Sequence, residues 1–205
     1  MSRYRGPKLR IIRRLGDLPG FTSKITKRTN PPGQHGPAKA NKKSNTSEYG
    51  IRLQEKQKLR FNYGVSEKQL YSYVKEARRL KGATGVNLLK LLEMRLDNVI
   101  YRLGVTPTIT SARQFVTHGH ILINGKKVNI PSFQCKVSDI ISIRNKSQSI
   151  KLAKQGLELN TSNLLGSYLD FDNVKLIGKV KSLVSREDVM LNINELFIVE
   201  FYSRK

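Results

Sequence analysis

The groups in this sequence able to act as metal ligands, acid–base pairs or nucleophiles stand in arrangements poorly suited to those tasks. His118-Gly119-His120 offers half of a metal site, but no thiol or carboxylate stands beside the pair, and one Cys and three His in the whole chain cannot supply an ordinary Cys-rich zinc site. The pair reads more simply as the polar end of a helix closed by Gly119. Asp170 and Asp172 alternate with Leu169 and Phe171, which puts both carboxylates on the outer face of a strand. Acid–base catalysis needs two carboxylates facing each other across a pocket, and no such pairing is indicated. Cys135, between Gln134 and Lys136, reads as a small half-buried side chain. Gly82-Ala83-Thr84-Gly85 is too short for a phosphate-cradling or dinucleotide loop and reads as a helix connection. Neither an enzyme, nor a cofactor, nor a metal is expected.

The chemistry the chain does advertise is polyanion binding. It carries 38 Lys and Arg against 15 Asp and Glu, a net charge of +23 over 205 residues, and self-repulsion on that scale favours a polyanionic partner. Residues 1–47 hold twelve Lys and Arg against Asp17 alone, a balance of +11. Gly6-Pro7, Pro19-Gly20 and the run from Pro31 to Pro37 punctuate this stretch too often for long elements. It is expected to be an extended basic arm, residues 1–45, that orders against its partner. No run of about 18 apolar residues occurs, so no membrane-spanning helix is expected and the chain reads as soluble. The basic start never enters the apolar stretch of an export signal. A single cysteine cannot build a disulfide framework.

Elements that would position the cations follow from local signals. From Ser47 to Gly64 the pattern is helical, with Arg52, Lys56 and Arg60 at i, i+4 and i+8 on one face. Such a stripe repels itself unless phosphates or acids face it. Ser66-Glu67-Lys68-Gln69 is a capping box, and the helix it opens carries Leu70, Tyr73, Val74, Ala77 and Leu80 at helical spacing up to Gly82. Leu89, Leu92, Leu96, Val99 and Leu103 keep one face apolar from 88 to 103, in one bent helix or two. Thr110 and Ser111 offer caps for a short helix ending at Gly119. Asn124-Gly125 between Ile121-Leu122-Ile123 and Lys126-Lys127-Val128 predicts a two-residue hairpin turn, and Asp139–Ile143 a strand to pair with it. Tyr168–Phe171 and Lys175–Val184 have strand character. Asn192 and Glu195 would cap a final helix.

Residues 95–143, RLDNVIYRLGVTPTITSARQFVTHGHILINGKKVNIPSFQCKVSDIISI, resemble the small RNA-binding module shared by several translation and RNA-modifying proteins. Together with PPGQHG at 31–36, SEYGIRLQEKQKLRFNYG at 47–64, LLKLLEMRLDN at 88–98 and NINELFIVEFYSRK at 192–205, the chain resembles the family of small-subunit ribosomal protein four, end to end and in order. The opening MSRYRGPKLRIIRRLG looks most like the plastid and cyanobacterial branch, and richness in Asn, Ile and Lys suits a plastid-encoded gene that needs no import peptide. Some relatives hold zinc through cysteines in the arm, from which this chain departs.

The resemblance implies an α+β fold: a helical domain, residues 46–94 plus 187–205, interrupted at 95–186 by the RNA-binding module, a helix-turn-helix plus small antiparallel sheet, with a β-rich extension. It implies a non-catalytic subunit that binds 16S-type ribosomal RNA at a helix junction in the 5′ domain, nucleates assembly, and contributes to translation and its accuracy. Implied neighbours are ribosomal small-subunit protein five and mRNA near its path into the particle, in the chloroplast stroma or a cyanobacterial cytoplasm. Charge and position together nominate Arg3, Arg5, Lys8, Arg10, Arg13, Arg14, Lys42 and Lys43 in the arm as RNA contacts, with Arg52, Lys56, Lys58 and Arg60 on the long helix. In the module they nominate Arg95, Arg102, Arg113, Gln114, His118, His120, Asn124, Lys126 and Lys127. An enzyme merely carrying such a module would need a catalytic domain for which no residues are left over. A free-standing rescue factor would start with the module instead of placing 94 residues before it. A DNA-binding role lacks a clear set of base-reading side chains on the second helix.

Overall fold

The computed structural model describes residues 4–34, 36, 47–160 and 165–203. They fall into two compact units, Met1–Gly85 with Leu191–Lys205, and Val86–Met190. The segment 86–94, assigned by sequence to the helical domain, therefore groups with the module.

In the first unit the arm is not extended throughout. α1 (Lys8–Leu15) follows Pro7 and stops at Gly16, whose φ of 89° suits only glycine. Leu15, Leu18 and Phe21 are buried, and Phe21 and Tyr4 each meet Phe61 edge-on. The backbone is tied as well, since Gly20 N–H donates to Asn62 Oδ1 at 2.9 Å and Lys8 Nζ donates to the Phe21 carbonyl at 3.1 Å. Three apolar anchors thus outweigh the Pro and Gly punctuation. Arg3, Lys42 and Lys43 of the expected arm lie outside the described residues.

α2 (Glu48–Asn62) begins at Ser47, whose hydroxyl accepts from Gly50 N–H at 3.2 Å. α3 (Glu67–Arg79) starts with the expected reciprocal capping box between Ser66 and Gln69. The carboxyl-terminal helix, α8 in chain order, is Glu195–Ser203; its Ile198, Phe201 and Tyr202 are buried and it packs on α2 and α3. Its amino-terminal cap is Asn194, which accepts from Leu196 N–H, and not Asn192.

The second unit begins inside α4 (Thr84–Glu93) and continues with α5 (Leu96–Arg102). The apolar face runs through both, and the chain breaks at Met94–Arg95 because a distant segment takes over its hydrogen bonds. Cys135 N–H donates to the Met94 carbonyl, while Leu96 and Asp97 N–H donate to Phe133 and Pro131. α6 (Ile109–Thr117) is capped by Thr108, whose hydroxyl accepts from Ser111 N–H, so Thr110 and Ser111 lie inside the helix. Then come β1 (Ile121–Ile123), β2 (Lys126–Lys127) and β3 (Ile140–Ile143). α7 (Ser147–Leu159) is a helix with no sequence expectation, and β4 (Leu169–Asp172) and β5 (Ile177–Val180) complete the set. The strands form one antiparallel sheet in the order β2-β1-β3-β5-β4. Asn124 and Gly125 both have positive φ, 48° and 78°, as the predicted hairpin turn requires. Asp188 accepts from the N–H and hydroxyl of both Ser167 and Ser185, clamping the loops around β4 and β5. Among the described residues no helix is long and apolar enough to cross a membrane.

Candidate nucleic-acid interface

Three arginines nominated as RNA contacts are interior. Arg95, Arg102 and Arg113 are 1%, 2% and 5% exposed, too little to grip a phosphate backbone. Arg95 and Arg113 converge on Asp97: Arg95 Nε and Nη2 donate to its two oxygens at 3.0 and 2.7 Å, and Arg113 Nε and Nη2 donate to Oδ2 at 3.1 and 2.7 Å. Arg102 is bidentate to Glu93 at 3.1 and 3.0 Å and donates to the Asp188 carbonyl. Glu93 also accepts from Asn98 Nδ2 at 2.5 Å and from the Tyr168 hydroxyl at 3.3 Å. Burial, then the charge of Glu93, drives the Tyr168 phenol far above its usual range. Buried charges demand partners, and these arginines serve to fasten α4, α5 and α6 to one another.

The α2 stripe is likewise turned inward. Arg52 pairs with Glu48 at 3.0 Å and with Glu200 of α8 at 2.6 Å. Lys56 is 5% exposed, pairs with Glu67 at 3.0 Å and lies over the Phe201 ring at 4.7 Å. Glu67 in turn accepts from the Tyr202 hydroxyl at 2.8 Å. Lys58 pairs with Glu55 at 2.6 Å. Arg52 and Lys56 therefore face α8, their mutual repulsion offset by Glu48, Glu67 and Glu200, whereas Arg60 lies over the Phe61 ring at 4.5 Å. Asn124 is also structural: its amide donates to Asp139 Oδ1 and accepts from Ile140 N–H, each at 2.9 Å, locking the hairpin to β3.

What remains free gathers at one edge of the second unit. Gln114 and His118 are exposed along α6, and Lys126 and Lys127 are exposed at the hairpin. The hairpin meets the end of α6 through Lys127, whose stem lies against Gly119 so closely that a Cβ there would overlap it. His120 stacks on Phe115 at 4.8 Å between centroids and shares a 2.8 Å hydrogen bond through Nδ1 with Ser149. Arg144, whose N–H donates to the His120 carbonyl, and Lys146 add charge beside it. Burial, then His118, Lys146 and Arg144, hold the His120 imidazole below its ordinary 6.5. Arg144 and Lys146 are absent from the residues nominated by sequence, because no local signal ties them to His120. In the arm Arg5, Arg10 and Arg14 are exposed, Lys8 is held as described, and Arg13 donates to the Asn30 and Pro31 carbonyls at 2.8 and 3.1 Å.

Over residues 3–93 the chain matches the family described as the ribosomal protein S4/S9 N-terminal domain, and over residues 94–141 the S4 domain. Small ribosomal subunit protein uS4c of Oltmannsiellopsis viridis is 58% identical over 204 residues, uS4 of Nostoc punctiforme 58% over 205, and uS4c of Rhodomonas salina 56% over 205, each alignment covering 100% of both chains. The chain belongs to the S4 family of ribosomal proteins. That family is one of ribosomal structural proteins and not of enzymes, and these relatives are plastid and cyanobacterial members of it. The S4 domain contains α5, α6, β1, β2 and the start of β3, so the exposed edge formed by Gln114, His118, Lys126 and Lys127 lies wholly inside it.

Proposed function

We propose that this S4-family chain binds small-subunit ribosomal RNA through the exposed α6–hairpin edge and the exposed arm cations. The observation that carries this is the contrast within one module: three arginines are consumed by buried acids, whereas Gln114, His118, Lys126 and Lys127 are left exposed, with Lys127 packed against the end of α6 at Gly119. Structured RNA is met by phosphate and 2′-hydroxyl contacts and by shape, and such an edge supplies donors at fixed spacing. The family resemblance supports the finer reading, a helix junction in the 5′ domain, a part in early assembly and in accuracy, a place near the path of mRNA, and residence in a plastid stroma or a cyanobacterial cytoplasm. Ribosomal small-subunit protein five is the proposed neighbour of the sheet. Ile140 and Ile177 are exposed on β3 and β5, with Asp170, Asp172 and Lys179 exposed on the neighbouring strands and Lys181 paired to Asp170, a mixed apolar and charge-balanced surface suited to a protein neighbour. Cosedimentation with small subunits after a high-salt wash tests the whole, and loss of the chain into the supernatant refutes it.

Replacing Lys126 and Lys127 together by Gln is expected to leave thermal stability unchanged. It should flatten the dependence of log affinity on log salt by roughly 0.7–0.9 for each phosphate no longer neutralised; filter binding to a 5′-domain transcript reads this, and an unchanged slope removes the hairpin from the surface.

His120 adds a pH signature. Its folded-state value is depressed, so its contribution to stability is full above about 6.5 and is lost as pH falls through the lower value. A phosphate nearby favours the imidazolium, so RNA binding takes up a proton. Affinity should rise as pH falls from about 7.5 to about 6, and His120→Gln should abolish that rise; a pH-independent wild-type affinity contradicts a phosphate at this position.

A further inference from the structure

In the first unit, residues 27–33 and α1 enclose a pocket of about 520 Å³ lined by Arg13, Lys27, Arg28, Thr29, Asn30 and Gly33. Its chemistry is one-sided: three cations, a hydroxyl and an amide, with no acid, thiol, aliphatic or aromatic side chain among the described residues that line it. Lys27 and Arg28 are exposed, and no ion pair among the described residues uses them or Arg13. The backbone is arranged to match. Arg13 Nε and Nη2 donate to the Asn30 and Pro31 carbonyls at 2.8 and 3.1 Å. The Thr26 hydroxyl donates to the Arg28 carbonyl at 3.3 Å, and Gly36 N–H to the Gly33 carbonyl at 3.1 Å. Four carbonyl oxygens that would repel an anion are thereby taken up by internal donors. Gly33 makes the bend at a φ of 102°, which a residue with a branched side chain resists.

The lining selects its occupant by charge. A metal ion would meet only cations there, and an apolar side chain or a stacked base would find no apolar wall. An anion meets charge-assisted donors, among the strongest hydrogen bonds a protein makes. The volume exceeds what one inorganic anion fills and lies in the range of ligand-sized pockets, so the anion brings polar bulk with it, as a backbone phosphate brings its ribose. We infer that this pocket seats one phosphodiester of the bound RNA, with Lys27 and Arg28 on its non-bridging oxygens and the Thr29 hydroxyl and Asn30 amide beside the adjoining ribose. Contacts of that kind fix register without reading sequence. This rests on the RNA-binding function proposed above. It assigns one fixed phosphate to Lys27, Arg28 and Thr29, none of them nominated from sequence, where the exposed cations of α1 offer diffuse attraction.

The test uses the full chain and a small-subunit rRNA 5′-domain transcript, with phosphate-ethylation interference, which finds each phosphate whose modification blocks binding. The double variant Lys27→Gln, Arg28→Gln keeps Arg13 and the carbonyl bonds that shape the loop. Its affinity should fall roughly tenfold or more and its salt slope should flatten by roughly 0.7–0.9. One phosphate required by the wild type should drop out of its interference pattern. Gly33→Val changes no charge but opposes the positive φ, and it should remove the same phosphate. An interference pattern that the double variant leaves unchanged, with or without a flatter slope, overturns the pocket assignment and leaves RNA binding standing, because the two cations would then act through diffuse charge alone. A wild-type chain that fails to bind the transcript overturns the RNA-binding function itself.

Discussion

Asp97→Ala is expected to destabilise the 86–190 unit by about 3–5 kcal/mol, because it strands two guanidinium groups in the interior. Asp97 is 0% exposed and takes four hydrogen bonds from Arg95 and Arg113. Neither arginine can reach water without pulling α5 or α6 out of place. Chemical denaturation measures the loss, and a shift below about 1 kcal/mol would mean that the cations find other partners. Arg113→Ala separates the two accounts of that residue. As a phosphate contact it would leave the fold intact and make the salt dependence of RNA binding shallower. As a buried partner of Asp97 it should instead lower the melting temperature and leave the slope where it was. Replacing Asp97, Arg95 and Arg113 together by apolar residues of similar volume should recover much of the stability, since a missing ion cluster costs less than a broken one.

The same three arginines show where sequence stops being informative. Arg95, Arg102 and Arg113 look no different in a string of letters from Lys126 or Lys127. What separates them is a carboxylate brought within about 3 Å, and Arg113 meets one sixteen positions away. The α2 stripe was legible as a repulsive row needing a counter-charge, but Glu67 and Glu200 come from α3 and α8, not from RNA. By contrast the capping box at Ser66 and the Asn124-Gly125 turn were legible because their causes lie within four residues. The break between α4 and α5 could not be placed, since residues 131–135 cause it. α7 went unread for a related reason: Lys146 provides no side-chain cap and Gly156 interrupts the pattern. That helix is held by tertiary contacts.

Gly156→Leu tests how those contacts act. Ser149, Ala153 and Gly156 are buried at i, i+4 and i+7 of α7, a row of small residues that lets the helix backbone approach the Val105–Thr106 segment. A Cβ at 156 would overlap the Val105 carbonyl oxygen, and backbone atoms cannot rotate aside as a flexible side chain would. α7 must then lift, which pulls Asn160 Nδ2 from the Gly104 and Thr106 carbonyls, now at 2.6 and 3.0 Å. The expected cost is about 3 kcal/mol, the upper range for overpacking, read as a fall in melting temperature of roughly 10 °C. The consequence reaches the interface, because the same helix holds Ser149 against His120. Once the helix lifts, the burial that depresses the imidazole is relieved and its titration moves up toward 6.5. Proton NMR of His120 in the folded variant distinguishes this from a general loss of structure: an unshifted titration would show that α7 does not position the histidine, whereas an upward shift would place α7 among the elements that set its environment.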